Sequence, residues 1–429
     1  MDLYFYWLTL LRKVLTSGEA TASNSSMHQL RQLSLGMCLV LFSTQISLAR
    51  DAKQYDFDIT ADFRQAKRLT DDDDCIPIKV KVSQDRRLLR ELSWQENPHQ
   101  SDLKADGNLN KENGKWLWKI PKKGGELRYC MKLNHLRGQR YDSRVTKSWA
   151  LFRADDLLPP VASVAVVESY SRTHLKFRLP QGWRSITAYP ETSNHKYEIN
   201  NPERLFDRPT GWVQLGELGI RRDRIAGTQA AVAAPIGQEV TRLEIMTLLT
   251  FTLPTVRDWF PAFPKRLLIV SASDGMWRGA LSGPASLFLH GERPLVSENG
   301  TSTVLHELVH VGMQRQASLD ADWIDEGLAE YLALVLLHEA GGLTDRRFES
   351  ALEEQQRWGE SASQLGKTNS QGAATAKAVT VFAQLHKEIG SNKFHRLVEE
   401  LAKPGPPISK TLLREATEKI VGSKVKSLP

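Results

Sequence analysis

The sequence predicts an α+β protein, with an all-β N-terminal region followed by a mainly α-helical domain that carries a small sheet. Two observations lead there. From residue 55 to about 235, apolar and polar residues alternate in short runs separated by Gly-, Asn- and Asp-rich turns, the period of half-buried strands. From about residue 236 the apolar positions recur at helical spacing instead. A chain of 429 residues accommodates two or three domains with their own cores. With 41% hydrophobic and 25% charged residues the composition is that of a soluble globular protein. The net charge of +7 is spread along the chain, and no basic run is interleaved with aromatics, so a solvated basic surface is favoured over nucleic-acid binding.

Residues 1–49 read as a targeting segment. Met27 opens a short basic stretch with Arg31, followed by an apolar run from Leu33 to Leu48, and Ser47-Leu48-Ala49 offers small residues where a signal peptidase cuts. Met27 is therefore the expected start of the exported protein, which would be periplasmic or secreted. The apolar run is close to the length that spans a bilayer, so an uncleaved form would be membrane-anchored. Cys38 lies inside the run without the small preceding residue that lipidation needs. Cys75 and Cys130 remain, and in an oxidising compartment they are expected to pair; two separate buried thiols are the alternative.

The expected strands include Ile76 to Val82, Lys115 to Ile120, Leu127 to Leu133 and Leu175 to Leu179. Asp71 to Asp74 lacks the spacing of a calcium loop and reads as an acidic turn. Leu158-Pro159-Pro160 reads as a linker, dividing the region 50–235 into two subdomains near residue 160. The remaining domain, 236–429, begins with a helix from Glu239 to Val256, whose apolar face holds Ile245, Met246, Leu248, Leu249 and Phe251. Pro261 and Pro264 end it, and Arg266 to Ser271 is a short buried strand. Gly275 to Leu289 is glycine-rich and then apolar. Further helices are expected near 345–359, 374–389, 392–402 and 408–421.

The chemistry is concentrated in His306-Glu307-Leu308-Val309-His310 and the Asp325-Glu326-Gly327 that follows. Two histidines four apart on a helix share a face, so both imidazoles reach one ion. Glu307 is then placed to take a proton from water activated at that ion. The surrounding residues Val304, Leu305, Leu308, Val309, Val311 and Met313 make this a buried helix. Ser302 is its expected N-cap, and Asp322 that of the next helix, which Gly341-Gly342 stops. That second helix is equally apolar yet carries Glu326 and Glu330 one turn apart. One zinc ion per chain, held by His306, His310 and Glu326, would satisfy these buried polar groups. Glu330 would accept the free N–H of a ligand imidazole, and Asp325 lies beside the same ligands. Two core helices with incidental polar residues are the bland alternative.

In these helices the chain resembles the gluzincin, or thermolysin-like, zinc metallopeptidases. Trp323-Ile324-Asp325-Glu326-Gly327-Leu328-Ala329-Glu330-Tyr331 is similar to the second-helix signature of their aminopeptidase branches, above all the glycyl aminopeptidase family. The resemblance implies a thermolysin-like catalytic domain behind an N-terminal β domain, with Gly182-Trp183 resembling an outer turn of that β domain. It also implies a cleft-lining strand at Gly279, Ala280, Leu281 and Ser282, on which a peptide substrate pairs as an added strand.

Two positions depart from the family pattern. Ser282 stands where a glutamate grips the free amine of the substrate, and a serine supplies no counter-charge to an ammonium group. Thr375 stands where a tyrosine stabilises the oxyanion, and zinc itself, Lys377, His386 or His395 are the alternatives for that role, among which the sequence does not choose. The expected activity is zinc-dependent hydrolysis of peptide bonds in the cell envelope, with Glu307 as general base. The alternative is a weak or inactive zinc-binding protein with a binding or chaperone-like role.

Overall fold

The computed structural model describes residues 53–69, 75–201, 206–238, 240–273, 275–362, 364–366 and 370–429. The segment 1–49, expected to be a targeting sequence, and the stretch Asp71 to Asp74, expected to be an acidic turn, lie outside them. Among the described residues no helix is long and apolar enough to cross a membrane.

Alternation in the sequence becomes alternation of burial. Gln54–Asp62 and Cys75–Ser83 bury every second residue, and they pair antiparallel in a seven-stranded sheet that also holds Gly124–Lys132 and Tyr170–Arg178. Phe57, Ile59, Val80, Leu127, Phe152, Leu175 and Phe177 fill a common core beneath it. Cys75 and Cys130 are joined by a disulfide between the paired strands, with Cα atoms 5.6 Å apart.

The division expected near residue 160 does not separate two cores. Val161–Ala165 pairs with Leu89–Gln95, and Tyr170–Arg178 lies next to Gln54–Asp62, so strands from both sides of the prolines share sheets. The boundary expected at 235 falls inside another sheet. Thr228–Pro235 pairs parallel with Arg266–Ala272, and the connection between them is helix α1 (Arg242–Trp259). Parallel neighbours require such a crossover, which is why the helix sits where the sequence pattern changes. It starts and ends three residues later than Glu239 to Val256. Its interior Pro254 is exposed, so water can satisfy the carbonyl it leaves without a partner.

The stretch Gly275 to Leu289 forms two strands rather than one. Ala280–Gly283 and Ser286–His290 pair as a hairpin, and the tight turn places Ala285 at φ 51°. The five-stranded sheet runs in the order Leu218–Ile225, Thr228–Pro235, Arg266–Ala272, Ser286–His290, Ala280–Gly283, which leaves Ala280–Gly283 at the edge.

Against this sheet packs the helical lobe: α2 (Thr303–Met313), α3 (Asp322–Glu339), α4 (Asp345–Gly359), α5 (Ala373–Ile389), α6 (Ser391–Leu401) and α7 (Lys410–Val421). Ser302 caps α2, its hydroxyl oxygen accepting the Leu305 N–H. Asp322 is not the cap of α3; Ala321 holds that position, and the Asp322 carboxylate accepts the Ser370 N–H at 2.7 Å instead. The loop between α2 and α3 is anchored by Arg315, which donates to the last carbonyls of α6 at Leu401 (2.6 Å) and Glu400 (3.0 Å).

Candidate metal centre

Helix α2 buries Leu305, Leu308 and Val309 on the core side and turns His306 and His310 toward α3. α3 approaches α5 closely because Gly327 has no side chain. A Cβ there would stand 2.3 Å from that of Ala378. Glu326, next to Gly327, thereby faces the two imidazoles.

The Nε2 atoms of His306 and His310 lie 3.1 Å apart, and the Glu326 carboxylate lies 3.4 Å from the first and 3.6 Å from the second. The three ligand atoms are all within 4.8 Å of one another. Donors about 2.0–2.2 Å from a tetrahedral zinc stand roughly 3.3–3.6 Å apart, so this spacing fits that ion. Two imidazole nitrogens meeting head-on also want a shared cation, because at most one of them can donate to the other. The donor set of two imidazoles and a carboxylate suits zinc and leaves one tetrahedral position for water or substrate.

Glu330 lies one turn along α3 and its carboxylate meets Nδ1 of His306 at 2.8 Å, which leaves Nε2 to face the ion. Asp325 lies 3.9 Å from Nδ1 of His310 and accepts the Ala317 N–H at 3.3 Å. Burial works against a charged His306, yet Glu326 and Glu330 outweigh it and hold the imidazole well above its ordinary pKa. Burial likewise pushes the Glu326 carboxyl up, and the two histidines more than offset it, leaving it below the usual range. Asp325 moves the other way: burial raises it, with His310 only partly compensating. The site is therefore built to balance positive charge at one point.

Glu307 is buried, and its Oε2 accepts the backbone N–H of Ser282 at 2.6 Å. The edge strand Ala280–Gly283, preceded by Gly279, thus runs past the candidate metal ligands. Sequence reasoning considered only the Ser282 side chain; no sequence signal marks the use of its amide, since every residue but proline has one. Thr375 and Lys377 are engaged elsewhere: the Thr375 hydroxyl lies 3.2 Å from that of Ser370, and Lys377 donates to the Ala362 carbonyl at 2.7 Å. His386 bonds to the Tyr331 hydroxyl at 2.7 Å, and His395 lies tilted against Trp259 with ring centroids 4.6 Å apart.

No protein-family model and no curated protein matches the sequence. Solved structures do. A mutant M1 zinc metallopeptidase from Deinococcus radiodurans, bound to a Tyr-Ser-Ala substrate, is 15% identical, with a TM-score of 0.59 covering 86% of this chain and 91% of that one. An aminopeptidase N family protein from Idiomarina loihiensis gives 14%, 0.57, 86% and 71% in the same order. Legionella pneumophila aminopeptidase A, in complex with aspartic acid, gives 13%, 0.54, 86% and 48%. The fold is that of the M1 zinc metallopeptidases. Its likeness to them covers the β region as well as the helical lobe, so the gluzincin resemblance carried by two helices extends to the architecture of the chain.

Proposed function

We propose that this protein is a zinc-dependent peptidase of the cell envelope. The observation that carries the reading is the convergence of His306, His310 and Glu326 beside a Glu307 held in place by Ser282. Zinc, when bound, supplies a Lewis acid that polarises the scissile carbonyl and makes water more acidic. His306, His310 and Glu326 hold it, and Glu330 fixes the orientation of His306. With one oxygen of Glu307 bonded to Ser282, the other takes the proton of the attacking water and returns it to the leaving amine. The open edge of Ala280–Gly283 orients an extended peptide across these groups. Export is supported by the N-terminal apolar run and by the joined Cys75 and Cys130.

A second reading is supported by Ser282 and Thr375: a zinc-binding envelope protein whose site serves binding rather than turnover. Glu307→Gln separates the two, because it removes the base and touches no proposed ligand. Zinc-loaded parent and variant are incubated with a peptide mixture and new termini are read by mass spectrometry. The peptidase reading expects cleavage by the parent, and a loss of about a hundred- to ten-thousand-fold in a variant that retains zinc. No cleavage by either, beside a cellular defect in His310→Ala, favours the binding protein, and equal cleavage by both removes Glu307 as the base.

A further inference from the structure

The hairpin of His135–Arg137 and Arg140–Val145 reaches from the β region to the segment that leads into the edge strand. The Tyr141 N–H donates to the Gly275 carbonyl, and the Trp277 N–H donates to the Tyr141 carbonyl, both at 2.8 Å. The Arg137 guanidinium lies over the Trp277 indole, 4.4 Å from its centroid. The same indole covers Gly279, where a Cβ would fall 2.1 Å from the ring. Arg137, Trp277, Gly279, Ser282 and Glu307 therefore form an unbroken line from the hairpin to the base.

Positive charge exceeds negative along this end. Arg137 and Arg153 share Asp142 at 3.5 and 3.9 Å, Arg278 meets Glu292 at 3.0 Å, and Arg140 adds a further exposed guanidinium at the turn. His290, whose backbone N–H donates to the Gly279 carbonyl, has its imidazole held below the ordinary value chiefly by burial; the Ser273 carbonyl and Glu292 oppose this, and Arg278 and Arg140 add smaller effects in the same sense as burial. Asp142 meets Arg137 at Nε, 3.5 Å away, and stacking on the indole leaves the terminal N–H groups for a second carboxylate. Strands rise about 3.3 Å per residue, so Gly279 lies roughly 10 Å along the edge from Ser282.

We propose that Arg137 and Arg140 select peptides carrying a carboxylate about three residues from the cleaved bond, either an acidic side chain or the peptide's own C-terminus. The inference rests on the peptide-cleft reading above and names the substrate class for it. Selection then comes from the arginine end of the cleft, while Ser282 leaves the other charge-reading position of the family without a carboxylate.

Binding tests it without turnover. Zinc-loaded Glu307→Gln protein is titrated with fluorescent alanine-glycine octapeptides. In one series a single Glu or Gln is walked along the chain, and in another the C-terminus is a free acid or an amide. One Glu position, or the free acid, should bind more tightly. That advantage should shrink about fivefold on Arg137→Ser, and again on adding Arg140→Ser, the value of a partly exposed ion pair. It should also weaken with salt, and Lys176→Ser, on another sheet, should leave it intact. Charge-indifferent peptide binding, or a preference that survives the double variant, overturns the selection and leaves the cleft standing. No peptide binding in any series overturns both.

Discussion

The carboxylate of Glu307 accepts the backbone N–H of Ser282 at 2.6 Å, tying the proposed base on α2 to the edge strand of the sheet. In the proposed peptidase, the edge of that strand is thereby both the place where an extended peptide pairs and the support that orients the base.

Shortening the side chain tests that coupling. Glu307→Asp keeps the carboxylate but withdraws it by one methylene, so it cannot both meet the Ser282 amide and face the water. A displacement of this size costs about a hundredfold in rate. The expected outcome is such a fall in kcat with zinc content unchanged; parent-like turnover would show that the contact does not position the base.

Zinc content is the next measurement. Elemental analysis should find about one ion per chain, and His310→Ala or Glu326→Gln should lose most of it. In the metal-free chain Glu326 and Glu330 hold His306 protonated above its ordinary pKa, and zinc needs the neutral imidazole. Raising the pH through that elevated pKa removes the competing proton. Zinc affinity should therefore climb with pH and fall as the pH drops below the pKa, as read by competition with a chromogenic chelator. A pH-independent affinity would argue against His306 as a ligand.

Ser282 makes a prediction about substrates. N-acetylated and free peptides of one sequence should be cleaved with similar efficiency, because a hydroxyl gives an ammonium group no counter-charge. Ser282→Glu should introduce a preference for free amines of roughly fivefold, about the worth of an ion pair of ~1 kcal/mol. A strong preference for free amines in the parent would mean that another carboxylate holds them.

Gly327 is where helix packing and the proposed metal site meet. In Gly327→Ala the new methyl would stand 2.3 Å from the Cβ of Ala378, so α3 and α5 must separate. Overpacking of this kind costs about 1–3 kcal/mol, visible as a lower denaturation midpoint with little change in slope. Zinc affinity should fall with it, since Glu326 is the adjacent residue. An unchanged midpoint would show that the lobe yields without strain.

The sequence by itself determined what depends on near neighbours. The four-residue spacing of His306 and His310 puts both on one face of α2, as the same spacing does for Glu326 and Glu330 on α3, and this holds wherever the helices lie. The Ser302 cap, the helices of the lobe and the alternating strands follow from equally local rules. Tertiary structure decided the rest. Ser282 holds Glu307 through its backbone amide, a group that no sequence pattern distinguishes. Asp322 left its expected capping role because Ser370, distant in sequence, arrived with an N–H to satisfy. The divisions expected at residues 160 and 235 gave way to strand pairing across them, and the Arg137 hairpin came to lie on Trp277. Periodicity tells which face of an element is buried; which partner covers it, and which backbone groups meet there, is settled only when distant segments pack.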